Sequence, residues 1–149
     1  MAKIKTEVLN LSDIKEYANN PRRNEKAINA VMESIKKFGY ANPIIVNADN
    51  VILAGHTRLE AIRKTGAMQV QVQVIRLTHL TEQQEKAFRI ADNRTAEFAE
   101  WDGDLLEAEM RDIEADDWAR FGFNQKMLER LAAPNMCKCP KCGQQFVKV

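Results

Sequence analysis

Gly55-His56-Thr57-Arg58 lies where a short apolar run, Val51-Ile52-Leu53-Ala54, meets the start of a helical pattern. Glycine at such a junction lets the backbone turn sharply and approach a ligand closely. The first N–H groups of the helix that follows have no intrahelical partner, so they present a site for a phosphate. Arg58 adds a guanidinium that can grip that phosphate with two parallel N–H bonds. His56 has two readings: a phosphate-bonding or acid–base group titrating near neutral pH, or a solvent-facing residue of the first helical turn.

A second polar group, Asp92-Asn93-Arg94, follows an apolar-periodic stretch. Asn commonly ends a helix. Asp92 in turn has the hard oxygen donor that Mg²⁺ takes beside substrate phosphates. Arg94 can pair with Glu97 or Asp92. Arg22 and Arg23 follow Asn20-Pro21 in a turn, where they either reach a phosphate or nucleic-acid backbone or remain solvated.

All three cysteines, Cys137, Cys139 and Cys142, fall near the C-terminus. This clustering suits metal ligation better than a disulfide framework. Cys139-Pro140-Lys141-Cys142-Gly143 is a zinc-knuckle turn, and structural zinc takes four ligands. Three cysteines leave the fourth to water, to His56 or His79, or to a second chain; in the last case two chains share one ion through Cys139 and Cys142. An unmetallated tail is the alternative.

The elements that must position these groups are legible from periodicity. Residues 4–11 predict a strand. Ile28, Val31, Met32, Ile35 and Phe38 share one face of a helix over 25–38, stopped by Gly39. Pro43 to Val46 and Val51 to Ala54 form a hairpin about Ala48-Asp49-Asn50. The helix after Gly55 turns Leu59 and Ile62 inward and ends at Gly66. Val70, Val72 and Val74 alternate with glutamines, as a half-buried strand does. Thr81-Glu82-Gln83-Gln84 is a capping box opening a helix through about Arg89 or Ile90. Further helices are expected at about 102–113 and 124–132. Trp101, Trp118, Phe121 and Phe123 are expected to anchor this peripheral part.

The chain has 149 residues, 45% of them hydrophobic, and a net charge of +1. The charge is polarised: +5 over residues 1–96, −9 over 97–117 and +5 over 118–149. Either basic part can face a polyanion while the acidic segment avoids one. No apolar run approaches the ~20 residues of a membrane span, and Met1-Ala2-Lys3-Ile4-Lys5 lacks a secretory apolar region. The expectation is a cytoplasmic protein with no membrane partner.

Several of these segments together resemble the ParB/sulfiredoxin superfamily, specifically the ParB-like N-terminal domain, over roughly residues 4–96. The carriers are Asn20-Pro21-Arg22, Glu33-Ser34-Ile35 with Phe38-Gly39, Pro43-Ile44-Ile45-Val46, and Ile52 through Ala61 with its Ala54-Gly55 turn. From Thr81 through Asn93-Arg94 to Trp101-Asp102 and Gly122-Phe123, the chain is similar to ParB-like modules of phages and mobile elements. Those modules often precede DNA methyltransferases. The resemblance implies an α/β (α+β) fold: a small mixed sheet with packed helices over 1–96, an acidic helical extension over 97–133 and a zinc-knuckle tail over 134–149.

It also implies a nucleoside triphosphate, CTP or ATP, bound with Mg²⁺. Gly55, His56, Thr57 and Arg58 would cradle its phosphates, and Asp92 with Asn93 would hold metal and triphosphate. Partition proteins carry Glu-Arg-Arg after the glycine where this chain has His56-Thr57-Arg58, so one arginine contact is replaced by a hydroxyl. Sulfiredoxin requires cysteine where His56 stands, which excludes sulfinic acid repair. No basic helix-turn-helix reader is evident over 97–132. The function expected is a nucleotide-binding, DNA-associated protein of a phage or mobile element in a bacterial host, with or without hydrolysis. The alternatives are a metal-dependent nuclease using Asp92 and His56, and a non-enzymatic adaptor for a DNA methyltransferase or packaging protein. A homodimer bridged through the cysteine tail is the expected assembly.

Overall fold

The computed structural model describes residues 4–21, 25–66, 70–112, 118–123, 126, 136–138 and 145–147. The chain divides into two compact units, Met1–Glu100 and Trp101–Val149. Among the described residues no helix is long and apolar enough to cross a membrane.

The first unit is an α/β fold on a four-stranded mixed sheet. Its strands are β1 (Ile4–Asn10), β2 (Ile44–Val46), β3 (Ile52–Ala54) and β4 (Gln71–Leu77). Their order across the sheet is β1-β4-β2-β3. β1 is antiparallel to β4, β4 parallel to β2, and β2 antiparallel to β3. The expected hairpin is therefore the β2–β3 pair, and its turn is built by Asn47. The Asn47 side-chain oxygen accepts the N–H groups of Asp49 and Val51, both at 2.9 Å. Asn50 then takes φ 64°, a left-handed conformation that asparagine tolerates better than most residues. Beyond β3, residue 15 continues the sheet edge. The Lys15 N–H donates to the Asn50 carbonyl and the Lys15 carbonyl accepts from Ile52 N–H, each at 2.9 Å.

The alternation seen in the sequence decides which face of β4 is buried. Val72 and Val74 are buried, while Gln71 and Gln73 are exposed; Leu77, on the face of the glutamines, is buried at the strand's end. These valines join Leu11, Ile14, Ile44, Val46, Ile52, Leu59 and Ile62 in one core. Tyr40 packs against that core and satisfies two backbone groups: its hydroxyl donates to the Gln73 carbonyl at 3.0 Å and accepts Ile44 N–H at 2.7 Å.

Three helices complete the unit: α1 (Glu25–Phe38), α2 (His56–Lys64) and α3 (Glu82–Ala96). α1 and α2 pack on each other, and α3 packs on β3. α1 has the expected boundaries, and Ile28 is buried with Val31, Met32 and Ile35 half-buried. Phe38 departs from the expectation. It is 65% exposed, because the last residue of the helix passes beyond the edge of the core.

α3 opens on the expected capping box. Thr81 Oγ1 accepts Gln84 N–H, and the Gln84 side chain accepts Thr81 N–H. The helix outruns its expected end at Arg89 or Ile90 and continues to Ala96. Asn93 does not terminate it. Its side-chain amide instead donates to the Arg89 carbonyl at 2.8 Å within the same helix. Thr95 likewise bonds back to the Ala91 carbonyl at 2.9 Å. Arg94 pairs with Glu97 at 2.7 Å, one of the two partners foreseen for it.

In the second unit, α4 (Gly103–Asp112) matches the helix expected at 102–113. Trp118 begins a short 3₁₀ turn, Trp118–Phe121, and meets the rings of Phe121 and Phe123 edge-on, with centroids 6.2 and 5.7 Å away. Trp101 lies 6.5 Å from Phe123. The aromatic residues thus pack together, although Trp101 remains 73% exposed. β5 (Met136–Lys138) and β6 (Gln145–Val147) form an antiparallel pair in which Cys137 lies opposite Phe146. Cys139, Cys142 and the helix expected at 124–132 lie outside the described residues, apart from Lys126, which is helical.

Candidate functional site

The Gly55 turn has the geometry its sequence position demands. Gly55 takes φ 99°, a conformation that a side chain disfavours. A Cβ there would come within 3.0 Å of Arg58 Nη1 and 3.3 Å of Ile44 Cγ1. The first helical bonds of α2 run from the N–H groups of Arg58 and Leu59 to the Gly55 carbonyl, at 2.9 and 3.1 Å. The N–H groups of His56 and Thr57 precede this ladder, at the positive end of the helix dipole. Arg58 donates one N–H to the Pro43 carbonyl at 3.1 Å, so the guanidinium is held beside the turn by the residue that leads into β2.

A cavity of about 380 Å³ opens at this turn. β3 contributes Leu53 and Ala54, followed by Gly55 through Arg58. α1 contributes Lys26, Ala27 and Val31, α3 contributes Asp92, Asn93 and Ala96, and Asn20 completes the lining. Six residues marked by the sequence, Gly55, His56, Thr57, Arg58, Asp92 and Asn93, are brought together from segments more than thirty positions apart. Arg22 and Arg23 lie outside the described residues, as do Cys139 and Cys142.

His56 is half-buried, and its Nε2 is fully buried with no hydrogen-bond partner. Burial, assisted by the positive charge of Arg89, lowers its pKa from 6.5 to about 4. The solvent-facing reading is therefore replaced by that of a half-buried, neutral imidazole. Near neutral pH such a group is unprotonated, so it offers hydrogen bonding and base chemistry but no imidazolium proton.

The residue that organises the α3 side of the cavity escaped sequence reasoning. Arg89 is 5% exposed. Its Nε donates to the Ile52 carbonyl at 3.1 Å and its Nη2 to Glu85 at 3.3 Å. Glu85 also accepts the Asn47 amide at 3.0 Å. Arg89 thereby ties α3 to the first residue of β3, three positions before Gly55, and to the hairpin turn. In the sequence, Glu85 and Arg89 look like an exposed i,i+4 ion pair. Lys26 and Asn20 were missed as well; the recurrence of Ala27 and Val31 four apart marks the helix face whose edge Lys26 occupies.

Comparisons with known proteins agree with the fold. Residues 2–93 match the ParB N-terminal domain. The ParB-like nuclease domain-containing protein YnaK of Escherichia coli K12 is 34% identical over 77 residues, covering 51% of this chain and 86% of that protein. Among solved structures, the C-terminally truncated chromosome-partitioning protein ParB of Caulobacter crescentus, complexed with CTP-γ-S, superimposes with a TM-score of 0.64. It shares 18% identity, over 85% of this chain and 76% of that one. The Pnob8-like ParB N-domain gives a TM-score of 0.51 at 18% identity, over 99% of this chain and 59% of that one. The chain belongs to the ParB N-terminal domain family.

Proposed function

As the function of this ParB N-terminal domain family member, we propose binding of a nucleoside triphosphate with Mg²⁺ in the Gly55 cavity, coupled to association with DNA. The observation that carries the reading is the convergence on one cavity of the α2 N-terminus, the Arg58 guanidinium and the Asp92–Asn93 pair. Unpaired N–H groups and a guanidinium favour phosphate oxygens. Mg²⁺ keeps several waters and uses one or two carboxylates alongside substrate phosphates. A single exposed Asp92 on the cavity wall fits that requirement, with Asn93 beside it. In this role Gly55 gives backbone access, Arg58 neutralises phosphate charge and His56 supplies an uncharged hydrogen-bonding group. The Caulobacter ParB holds a CTP analogue on a similar fold, which makes CTP the first ligand to try and ATP the second. Hydrolysis is a separate question from binding.

Calorimetric titration with each of the four nucleoside triphosphates plus Mg²⁺, against Arg58→Ala as control, tests the reading. Saturable binding of one nucleotide that the substitution abolishes supports it. Absence of binding by all four sinks it.

A zinc ion on the cysteine tail belongs to the same proposal. β5 and β6 flank the segment that carries Cys139 and Cys142. Three cysteines per chain cannot complete a four-thiolate site alone, so two chains sharing one ion is the assembly this reading favours. Metal analysis should find about half a zinc per chain in a dimer, and Cys142→Ser should release both the zinc and the partner chain.

The nuclease reading draws on the printed name of the Escherichia coli relative. It requires DNA cutting without added nucleotide. Asp92 is the one carboxylate that the described residues bring to the cavity, which favours nucleotide binding over a two-metal cutting site.

A further inference from the structure

We infer that Lys26 is the second cationic contact of this cavity and makes it selective for a chain of phosphates over a single anion. The inference rests on the nucleotide-binding reading and extends it to the length of the phosphate chain.

Lys26 is the second residue of α1, and its side chain lines the same cavity as Gly55 through Arg58. Among the described residues no carboxylate pairs with it. Arg58 is placed differently. It is packed beside the Gly55 backbone and spends one N–H on the Pro43 carbonyl, so it serves an anion seated at the α2 N-terminus. One phosphate there satisfies the free N–H groups and that guanidinium. A second or third phosphate on the same ligand extends into a cavity whose remaining charged lining residues are Lys26 and Asp92. Asp92 repels bare phosphate oxygens, and among the described residues that leaves the Lys26 ammonium as the group able to receive them. Its four-carbon stem and compact charge suit a mobile phosphate chain better than a rigid fork would. A monophosphate gains nothing from Lys26; a triphosphate gains a charge-assisted hydrogen bond.

The test uses the full chain and three inorganic probes without metal: phosphate, pyrophosphate and tripolyphosphate, titrated at low salt into wild type, Lys26→Ala, Lys26→Arg and Arg58→Ala. Wild-type affinity should climb along the series. Lys26→Ala should flatten the climb, losing about tenfold on tripolyphosphate with phosphate unchanged. Lys26→Arg should restore most of it, and Arg58→Ala should weaken all three probes. Lys26 is exposed, so its removal should leave the thermal midpoint unchanged. A Lys26→Ala protein that keeps the wild-type climb overturns the role of Lys26 while leaving the cavity's phosphate affinity intact. Wild type binding none of the three overturns both.

Discussion

The guanidinium carbon of Arg89 lies 3.9 Å from the centroid of the Tyr17 ring, so a buried cation of α3 stacks on an aromatic residue of the segment that follows β1. The same side chain bonds the Ile52 carbonyl and Glu85. Three parts of the chain meet at Arg89, and Glu85 extends the connection to the hairpin turn through Asn47. Removing one partner of a buried ion pair leaves the other uncompensated, at a cost of about 3–5 kcal/mol. Arg89→Met should therefore destabilise the domain by roughly that amount in denaturant unfolding. A double-mutant cycle with Tyr17→Leu should return a coupling of about 1–2 kcal/mol for the desolvated stack. A cycle that closes at zero would show that the contact is geometric only.

His56 should titrate far from the usual imidazole range. Proton NMR of the folded protein should place its midpoint at about 4. The sign of the stability effect follows. The unfolded chain binds the proton near pH 6.5 and the folded chain only near 4, so stability is complete above 6.5 and falls as the pH drops from 6.5 towards 4. In Arg89→Met one cause of the depression is gone, and the midpoint should move upward without reaching 6.5, because burial remains. The shift reads the Arg89 charge directly, since lost packing alone would not produce it at constant burial.

Gly55→Ala should damage the site and the fold together. The left-handed conformation costs an L-residue about 1–2 kcal/mol. The added carbon would also press on Arg58 Nη1 and Ile44 Cγ1. The Arg58 nitrogen that donates to the Pro43 carbonyl would have to shift, which weakens the hold on the guanidinium beside the α2 N-terminus. Unfolding curves should show a loss of roughly 2–3 kcal/mol, and anion titrations a loss of affinity at least as large as that of Arg58→Ala. Wild-type affinity in the alanine protein would mean that the turn tolerates a side chain and that close backbone approach is not required.

The sequence announced the elements through local signals. Alternation placed Val72 and Val74 inward, the three- and four-residue spacing of Ile28, Val31, Met32 and Ile35 fixed α1, and Thr81 with Gln84 fixed the start of α3. Strand–glycine–helix turns are common, and the Gly55 turn was legible through its neighbours, Ile52 to Ala54 before it and Arg58 to Ala61 after it. Asp92 and Asn93 were legible as candidates, but their convergence with Gly55 depends on the length of α3, which local reading cut short. Asn and Asp bias a chain towards helix ends only while their side chains lack a better partner. The Arg89 carbonyl supplies one for Asn93. Arg89 itself was hidden because a buried arginine and an exposed one have the same helical spacing to a glutamate. What separates them is the Ile52 carbonyl and the Tyr17 ring, thirty-seven and seventy-two positions away. His56 needed the same tertiary information, since only packing decides whether the first residue of a helix faces water.

Asp92 should reverse the sign of its contribution when Mg²⁺ is added. Without metal, its carboxylate stands on the cavity wall, where it would repel the phosphates of the proposed ligand. Because it is exposed, the penalty is small, and Asp92→Asn should tighten metal-free tripolyphosphate roughly two- to fivefold. If Mg²⁺ binds as proposed, this carboxylate would help hold the ion beside the ligand, and its removal should weaken nucleotide binding by about tenfold. The measurement is a pair of calorimetric titrations, with Mg²⁺ and with EDTA, on wild type and Asp92→Asn. A general electrostatic role shifts both titrations in the same direction. A role in the fold weakens both and lowers the thermal midpoint. Opposite shifts at an unchanged midpoint identify Asp92 as the residue that meets the metal, because no other assignment makes one carboxylate unfavourable to the bare ligand and favourable to its magnesium complex.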